Sequence, residues 1–492
     1  MTAQVDLATV IDIGDQKQLF IDDALIDSQE CITRTFHPFK RHSDAPILIP
    51  EKSWERPYIL YVTVLRDKDG LMRMWYTNHG PLQPPGLEDH TQVCYATSYD
   101  GLHWERPSLG IIEVNGSTQN NVLARAYRKS FYHRAGSVVY NPKEPDPARR
   151  YVHLSQRPDG SCPSYSADGL HWAVDDQPIF QPSDAATLSY DPRQDRYFCS
   201  SVSDVDARGF VRRSIEITET DLKSWRDFQT VLVADEIDDA GAPGRIGRLR
   251  SILDYDNPEH YHTELHHMVA FPYASYTLGI VTVWDTTWHT QSTPLFAGGK
   301  DRAIVHMQMT WTRDADWLDW NRLDPREPVL ELSEPGDWDC AWQLPPHAPV
   351  QVGDELWLYY VGSAALLCAP RTHGFGLPDR GQVPPNGVGV AKLRLDGFVS
   401  LDASPRGGTF LTKPLTFSGS KLFLNGRGLG QITVEILDVN GEPIDGIERQ
   451  TVTGDSVRHE MYWCNLGAYA GRPVCLRVRM WNAQLYAFAF GE

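Results

Sequence analysis

One phrase constrains this chain more than any other feature. Asp-Gly-Leu-His-Trp occurs at Asp100–Trp104 and returns letter for letter at Asp168–Trp172. Weaker echoes stand at Asp221-Leu-Lys-Ser-Trp225, at Asp316-Trp-Leu-Asp-Trp320 and at Asp396-Gly-Phe-Val-Ser400, the last without its Trp. The echoes begin 53 to 95 residues apart. A self-similar unit at this period, set among short strands, predicts a propeller or solenoid rather than a sandwich. Five copies predict five blades. The turn chemistry is local: Asp opens a tight turn, Gly supplies positive φ, and Trp covers a blade edge. The repeated Asp and Trp are therefore read as structural, not catalytic.

Ahead of each phrase lie three runs of β-type residues separated by turn signals. The first unit gives 58–65, 71–77 and 92–98, the second 136–140, 150–155 and 162–166. The third gives 186–190, 196–202 and 211–218, and the fourth 266–271, 278–284 and 304–312. The fifth gives 349–352, 355–361 and 387–393. No helix of convincing length and period is visible. After Asp402 the phrase stops, and alternating runs at 421–424, 431–437, 458–462, 474–480 and 485–490 predict a sandwich. The expected fold is all-β, a five-bladed β-propeller over residues 1–402 followed by a small C-terminal β-sandwich over 403–492.

Composition narrows the partners. The chain has 492 residues and a net charge of −18, which argues against nucleic acid or an anionic membrane surface, since both need clustered cations. The eight Cys are scattered without metal-ligand spacing, so buried free thiols are expected. No basic-then-apolar leader and no long apolar run is present; a cytoplasmic location is the expectation.

Loops entering the first strand of each blade converge on one mouth of a propeller, so polar residues just before those strands are the candidates for a shared site. They are Glu55 and Arg56, His133 and Arg134, Asp184, Glu264 and His266, and Asp337, Asp339 and Gln343. Asp23, on an upstream strand at 18–26 that closes the ring or enters the channel, joins them. Converging carboxylates with Arg and His suit glycosidic bond cleavage. One acid protonates the leaving oxygen, and a second carboxylate attacks or activates water. Asp184, Glu264 and Asp339 are the expected catalytic carboxylates. Asp23, Glu55, Arg56, His133, Arg134, His266, Asp337 and Gln343 are expected to bind substrate. The adjacent His266 and His267 should point to opposite faces of a strand, which disfavours a metal held by both. No cofactor is required; an axial Ca²⁺ would need oxygen ligands, and no contiguous ligand loop is visible.

The segment Ala96-Thr-Ser-Tyr-Asp-Gly-Leu-His-Trp-Glu-Arg-Pro107 resembles the Ser-x-Asp-Gly-x-x-Trp blade segment of the five-bladed propeller glycosidases. That superfamily includes invertase, levansucrase, arabinanase and the β-mannoside phosphorylases. The chain is also similar to a bacterial branch carrying Gln18-Leu-Phe-Ile-Asp-Asp23 and Leu485-Tyr-Ala-Phe-Ala-Phe490. The resemblance implies a glycoside hydrolase acting on a fructofuranosyl, arabinofuranosyl or related neutral sugar, with a small oligosaccharide or glycoside as partner. The Trp-Met-Asn-Asp-Pro-Asn-Gly segment and the Arg-Asp-Pro stabiliser of invertases are absent, so catalytic roles do not transfer one to one. A glycoside phosphorylase or transglycosidase, holding phosphate through Arg134, His133, His266, Arg248 or Arg250, is the second reading. A non-catalytic carbohydrate-binding propeller is the third. The terminal sandwich could cover a propeller edge or build a homo-oligomer.

Overall fold

The computed structural model describes residues 10–79, 91–125, 137–157, 160–175, 177–181, 185–248, 261–286, 303–345, 347–364 and 386–492. Three four-stranded antiparallel sheets follow one another along the chain. The first is Tyr58–Arg66, Met72–His79, Thr91–Ser98 and Val122–Arg125. The second is Val139–Tyr140, Tyr151–Arg157, Gly160–Ser166 and Ala173–Val174. The third is Thr187–Asp191, Arg196–Ala207, Phe210–Thr220 and Gln229–Leu232. A nine-stranded sheet comes next and contains two further antiparallel runs. One begins with His262–Tyr273, Tyr276–Thr286 and Ala303–Thr312; the other is Trp342–Leu344, Glu355–Ser363 and Gly387–Arg394. A single parallel bridge, Val305 to Trp342, joins them.

The last strand of that sheet is Lys40–Arg41, from far upstream, paired with Ala391 and Lys392. Residues just after it also bind the end of the sheet, with Ile47 N–H donating to Val388 O at 2.7 Å. Residues 40–48, and not the expected upstream strand around 18–26, therefore bind the end of that sheet. Gln18–Leu19 pairs instead with Cys475–Gly491. Ile26–Glu30 and Ile32–Phe36 likewise join Gly408–Thr412 and Val399–Ala403 in an eight-stranded sheet built from both chain ends. There Lys421–Leu437 is one strand with bulges near Asn425 and Gly428, where two separate runs were expected.

The repeated phrase is the clasp between sheets. In both full copies the Asp carboxylate accepts from the backbone N–H groups two and three residues on, at 2.8–2.9 Å. The second residue is left-handed in the first four echoes: Gly101 at φ 72°, Gly169 at 77°, Leu222 at 64° and Trp317 at 58°. That residue docks on a strand of another sheet. Gly169 O accepts from the Trp75 indole at 2.7 Å, and Gly101 O from the Tyr359 hydroxyl at 3.1 Å. Trp317 stacks on Phe198 with ring centroids 4.4 Å apart, and Leu222 packs in one core with Val152 and Leu154. In the fourth echo the turn is capped by Asp314 rather than Asp316.

One α-helix stands among the described residues, α1 (Glu236–Arg248). It carries Gly241, Gly244, Gly247 and Pro243, an interior that costs about 1 kcal/mol per Gly and about 3 for Pro, which explains why no helix is visible in the sequence. Its compensation is side-chain bonding. Asp235 accepts from the N–H groups of Ile237 and Asp238 while Asp238 accepts from the N–H of Asp235, a reciprocal cap. Arg322 then grips Asp238 at 2.5 and 2.7 Å, and Arg212 grips Asp239 at 2.6 and 2.9 Å.

A Cβ on Gly169 would stand 2.6 Å from the Trp75 ring, whereas one on Gly209, also left-handed, meets nothing within 4 Å. Gly169→Ala should cost about 3 kcal/mol from overpacking and left-handed strain together, and Gly209→Ala only about 1. Urea unfolding checks this; equal losses would contradict the clasp.

Candidate active site

The site is built on one face of the hairpin His262–Tyr273 and Tyr276–Thr286. Glu264 lies directly opposite Trp284, and His267 opposite Thr282, with a bulge between Leu265 and His267. The bulge alters the alternation expected for neighbouring His residues. Leu265 and Met268 share one core on the far face. His266 stacks on Trp284 with centroids 4.1 Å apart and rings 10° from parallel, and His267 stands across from Thr282. Both imidazoles therefore lie on the Glu264 face, a correction to the expectation of opposite faces. Among the described residues, no group of three or more His, Cys, Asp or Glu is arranged to hold a metal ion.

Strands of other sheets reach this face. His267 Nε2 is 2.8 Å from Thr187 Oγ1, and its ring meets that of Tyr61 with centroids 6.2 Å apart. Tyr61 sits at a bulge of its own at φ 45°, a strained setting for an aromatic residue. Arg213 brings its guanidinium carbon 5.0 Å from the Trp284 ring centre, and His262 stacks on Phe210 at 4.0 Å. Through Val305 the row Glu264, Trp284, Val305, Trp342 runs on to the segment that carries Asp339.

Three of the sequence-predicted carboxylates differ sharply in how fully they are bonded. Asp339 is wholly buried and accepts from Arg41 Nε at 2.9 Å, Tyr360 OH at 2.8 Å, Gln343 Nε2 at 3.2 Å and the Ser333 hydroxyl. Burial, and then the Asp339 charge, push the Tyr360 hydroxyl up, so it stays a donor. Glu55 has a fully buried carboxylate that accepts from Tyr76 OH at 2.8 Å, Arg106 Nε at 2.9 Å, and the N–H groups of Glu51 and Lys52 at 2.9 and 3.0 Å. Glu264 is 7% exposed and has two long contacts, His262 Nε2 at 3.2 Å and Arg213 N–H at 3.4 Å. It is the carboxylate of the three with lone pairs left for chemistry.

The remaining candidates divide. Gln343, buried, also donates to Glu331 O at 3.2 Å, while its Oε1 meets no donor among the described residues. Arg56 has its backbone N–H and C=O held by the Asn78 amide. Asp337 is exposed at a turn. Asp23 lies on the exposed surface paired with Arg34, beside the sheet built from both chain ends. Asp184, His133 and Arg134 fall outside the described residues. Trp284, Thr282, Arg213 and Tyr61 join the site only through cross-strand register and bulges, for which the sequence carries no signal.

A charged cluster supports the hairpin from behind. Arg245 of α1 holds the buried Asp285 at 2.5 and 2.9 Å, and Thr263 Oγ1 donates to the same carboxylate at 2.8 Å. His306 Nδ1 lies 3.5 Å from Asp285, and its Nε2 is 3.0 Å from the Gln308 amide. Burial, against the pull of Asp285, lowers His306 to about 4.

No known family profile and no curated protein matches this chain. Among solved structures, an N-acetylgalactosamine deacetylase from F. plautii in complex with blood group B trisaccharide is 14% identical. It matches over 74% of this chain and 96% of that one, with a TM-score of 0.42. A β-1,2-mannobiose phosphorylase from Listeria innocua is 12% identical over 73% and 97%, with a TM-score of 0.44. A glycosyl hydrolase from Bacteroides ovatus is 13% identical over 73% and 94%, with a TM-score of 0.42. These scores lie under 0.5, so no substrate and no residue role passes from those proteins to this one. No helix among the described residues is long and apolar enough to cross a membrane.

The unfolded chain protonates histidine near pH 6.5, whereas buried His306 resists down to about 4. Stability from this group is complete above pH 6.5 and is lost as pH falls to 4, by about 3 kcal/mol. His306→Asn should flatten that part of the acid limb in urea titrations at pH 7 and 4.5. An unchanged acid limb would contradict it.

Proposed function

We propose that this protein is a glycoside hydrolase whose site lies at the mouth of a five-bladed β-propeller, with Glu264 as the proton-transferring carboxylate. The observation that carries the reading is the contrast in bonding. Glu55 and Asp339 each accept from four donors, while Glu264 accepts two long bonds, one of them from His262. A reacting carboxylate must exchange a proton with a leaving group, and a saturated one cannot do so without breaking the fold.

The propeller reading draws support from the clasps and from closure. Phrases of one sheet dock on aromatics of another, and the first phrase docks on Tyr359 of Glu355–Ser363. That pattern suits five blades arranged in a ring, with Lys40–Arg41 completing the last. The C-terminal unit, expected over 403–492, would then be enlarged by N-terminal strands.

In this mechanism Glu264 protonates the glycosidic oxygen as the bond breaks, and Asp184 attacks the anomeric carbon or activates water. A carboxyl separation of about 5–5.5 Å would give retention and about 6.5–9.5 Å inversion. Asp339 becomes a positioning residue that fixes Arg41 and Gln343 at the rim. The furanosyl class rests on the resemblance of the 96–107 segment.

The test is a panel of 4-nitrophenyl furanosides and pyranosides with fructo- and arabino-oligosaccharides, each with and without phosphate. Release of sugar without phosphate is expected, and Glu264→Gln should lower kcat on the oligosaccharides by about 10²–10⁴ with an unchanged melting temperature. Asp339→Asn should instead lower stability by about 3 kcal/mol, because it disrupts a buried ion pair. Strict phosphate dependence would make the enzyme a phosphorylase. Full activity in Glu264→Gln would overturn the assignment.

A further inference from the structure

Two buried polar groups beside Glu264 are left without partners. Trp284 is 4% exposed, yet its indole N–H meets no acceptor among the described residues. Thr282, two residues earlier on the same face, is wholly buried, and its hydroxyl has no partner there either. Leaving a buried polar group unsatisfied costs about 1–3 kcal/mol. Two such groups on one strand face, directly opposite Glu264 and His267, are what a polar ligand would satisfy.

We propose that Trp284 Nε1 and Thr282 Oγ1 form a hydroxyl-binding subsite that orients a sugar ring against Glu264 and sets specificity. The inference rests on the reading of Glu264 given above. Residues i and i+2 of a strand stand about 6.5–7 Å apart on one face, a span that hydrogen bonds to two neighbouring hydroxyls of one ring can bridge. The directly opposed Glu264 lies within about 5.5 Å at Cβ, so a ring held there presents its reacting bond to that carboxylate. The chemistry suits sugar hydroxyls. The indole can only donate, and a threonine hydroxyl both donates and accepts. His266 and Arg213 both pack on the indole, which fixes the direction of its N–H before any ligand arrives.

Trp284→Phe keeps the stacked ring and removes the N–H; Thr282→Val keeps the shape and removes the hydroxyl. Calorimetric titration of wild type and both variants with methyl fructofuranoside, methyl arabinofuranoside and methyl mannopyranoside, beside the free sugars, reads the subsite without turnover. At least one sugar should bind the wild type. Each variant should bind it about 3- to 10-fold more weakly, the loss expected for one neutral hydrogen bond. The unliganded melting temperatures should stay level or rise, because no internal bond is lost. Wild-type affinity in both variants, a fall of several degrees in the unliganded proteins, or no binding of any of these sugars would overturn the subsite. Activity surviving in Glu264→Gln would sink the catalytic reading while leaving these affinity ratios intact, so the two can fail separately.

Discussion

The docking of one residue from each of the first four echoes onto another sheet holds this architecture together. An Asp carboxylate tightens each full turn of the phrase, and the following residue takes a left-handed backbone. At Gly101 and Gly169 this lets the backbone carbonyl approach an aromatic donor of another sheet, Tyr359 in one case and Trp75 in the other. Leu222 and Trp317 keep the same left-handed turn and dock by their side chains instead. Backbone strain at those two positions, of about 1–2 kcal/mol each, is offset by burial of a large side chain.

What the clasps hold in place is a set of strand ends whose polar groups are bonded to very different extents. Asp339 and Glu55 act as cross-links, each gathering donors from three or four places in the sequence. Arg41 ties the strand Lys40–Arg41 to Asp339, and Arg106 ties the residues after the first phrase to Glu55. Such buried pairs are costly to break but contribute little net stability over apolar packing; their value lies in fixing geometry. Within that frame Glu264 is held by its strand rather than by donors, with an indole and two imidazoles on the same face.

The strands and turns of the sheets were legible because β-alternation and Asp-Gly turns are local signals. The expected runs at 58–65, 196–202 and 278–284 all fall inside observed strands. What local signals could not convey was partner choice. The N-terminal strands join the C-terminal sheet through long-range pairing, and α1 forms against its own propensity because Arg322 and Arg212 bind its Asp238 and Asp239 while its own Arg245 binds Asp285. Candidate site residues were expected just before first strands, whereas Glu264 and His266 lie within His262–Tyr273 and Gln343 within Trp342–Leu344; the residue types were legible and their strand positions were not. Bonding state was not. Asp339 and Glu264 look alike in sequence, and only tertiary packing gives one four donors and the other two. The bulge at Leu265–His267 likewise defeats simple alternation, so Trp284 and Thr282 could not be placed beside Glu264 by counting.

The central claim is that Glu264 is the carboxylate that gives a proton to the leaving glycosidic oxygen. Leaving-group dependence tests it most directly. Glu264→Ala should be nearly inactive on an oligosaccharide that the wild type cleaves, and should lose far less kcat/KM on the 4-nitrophenyl glycoside of the same sugar, whose leaving group departs without a proton. Equal losses on both substrates, or near wild-type activity on the oligosaccharide, would contradict the account.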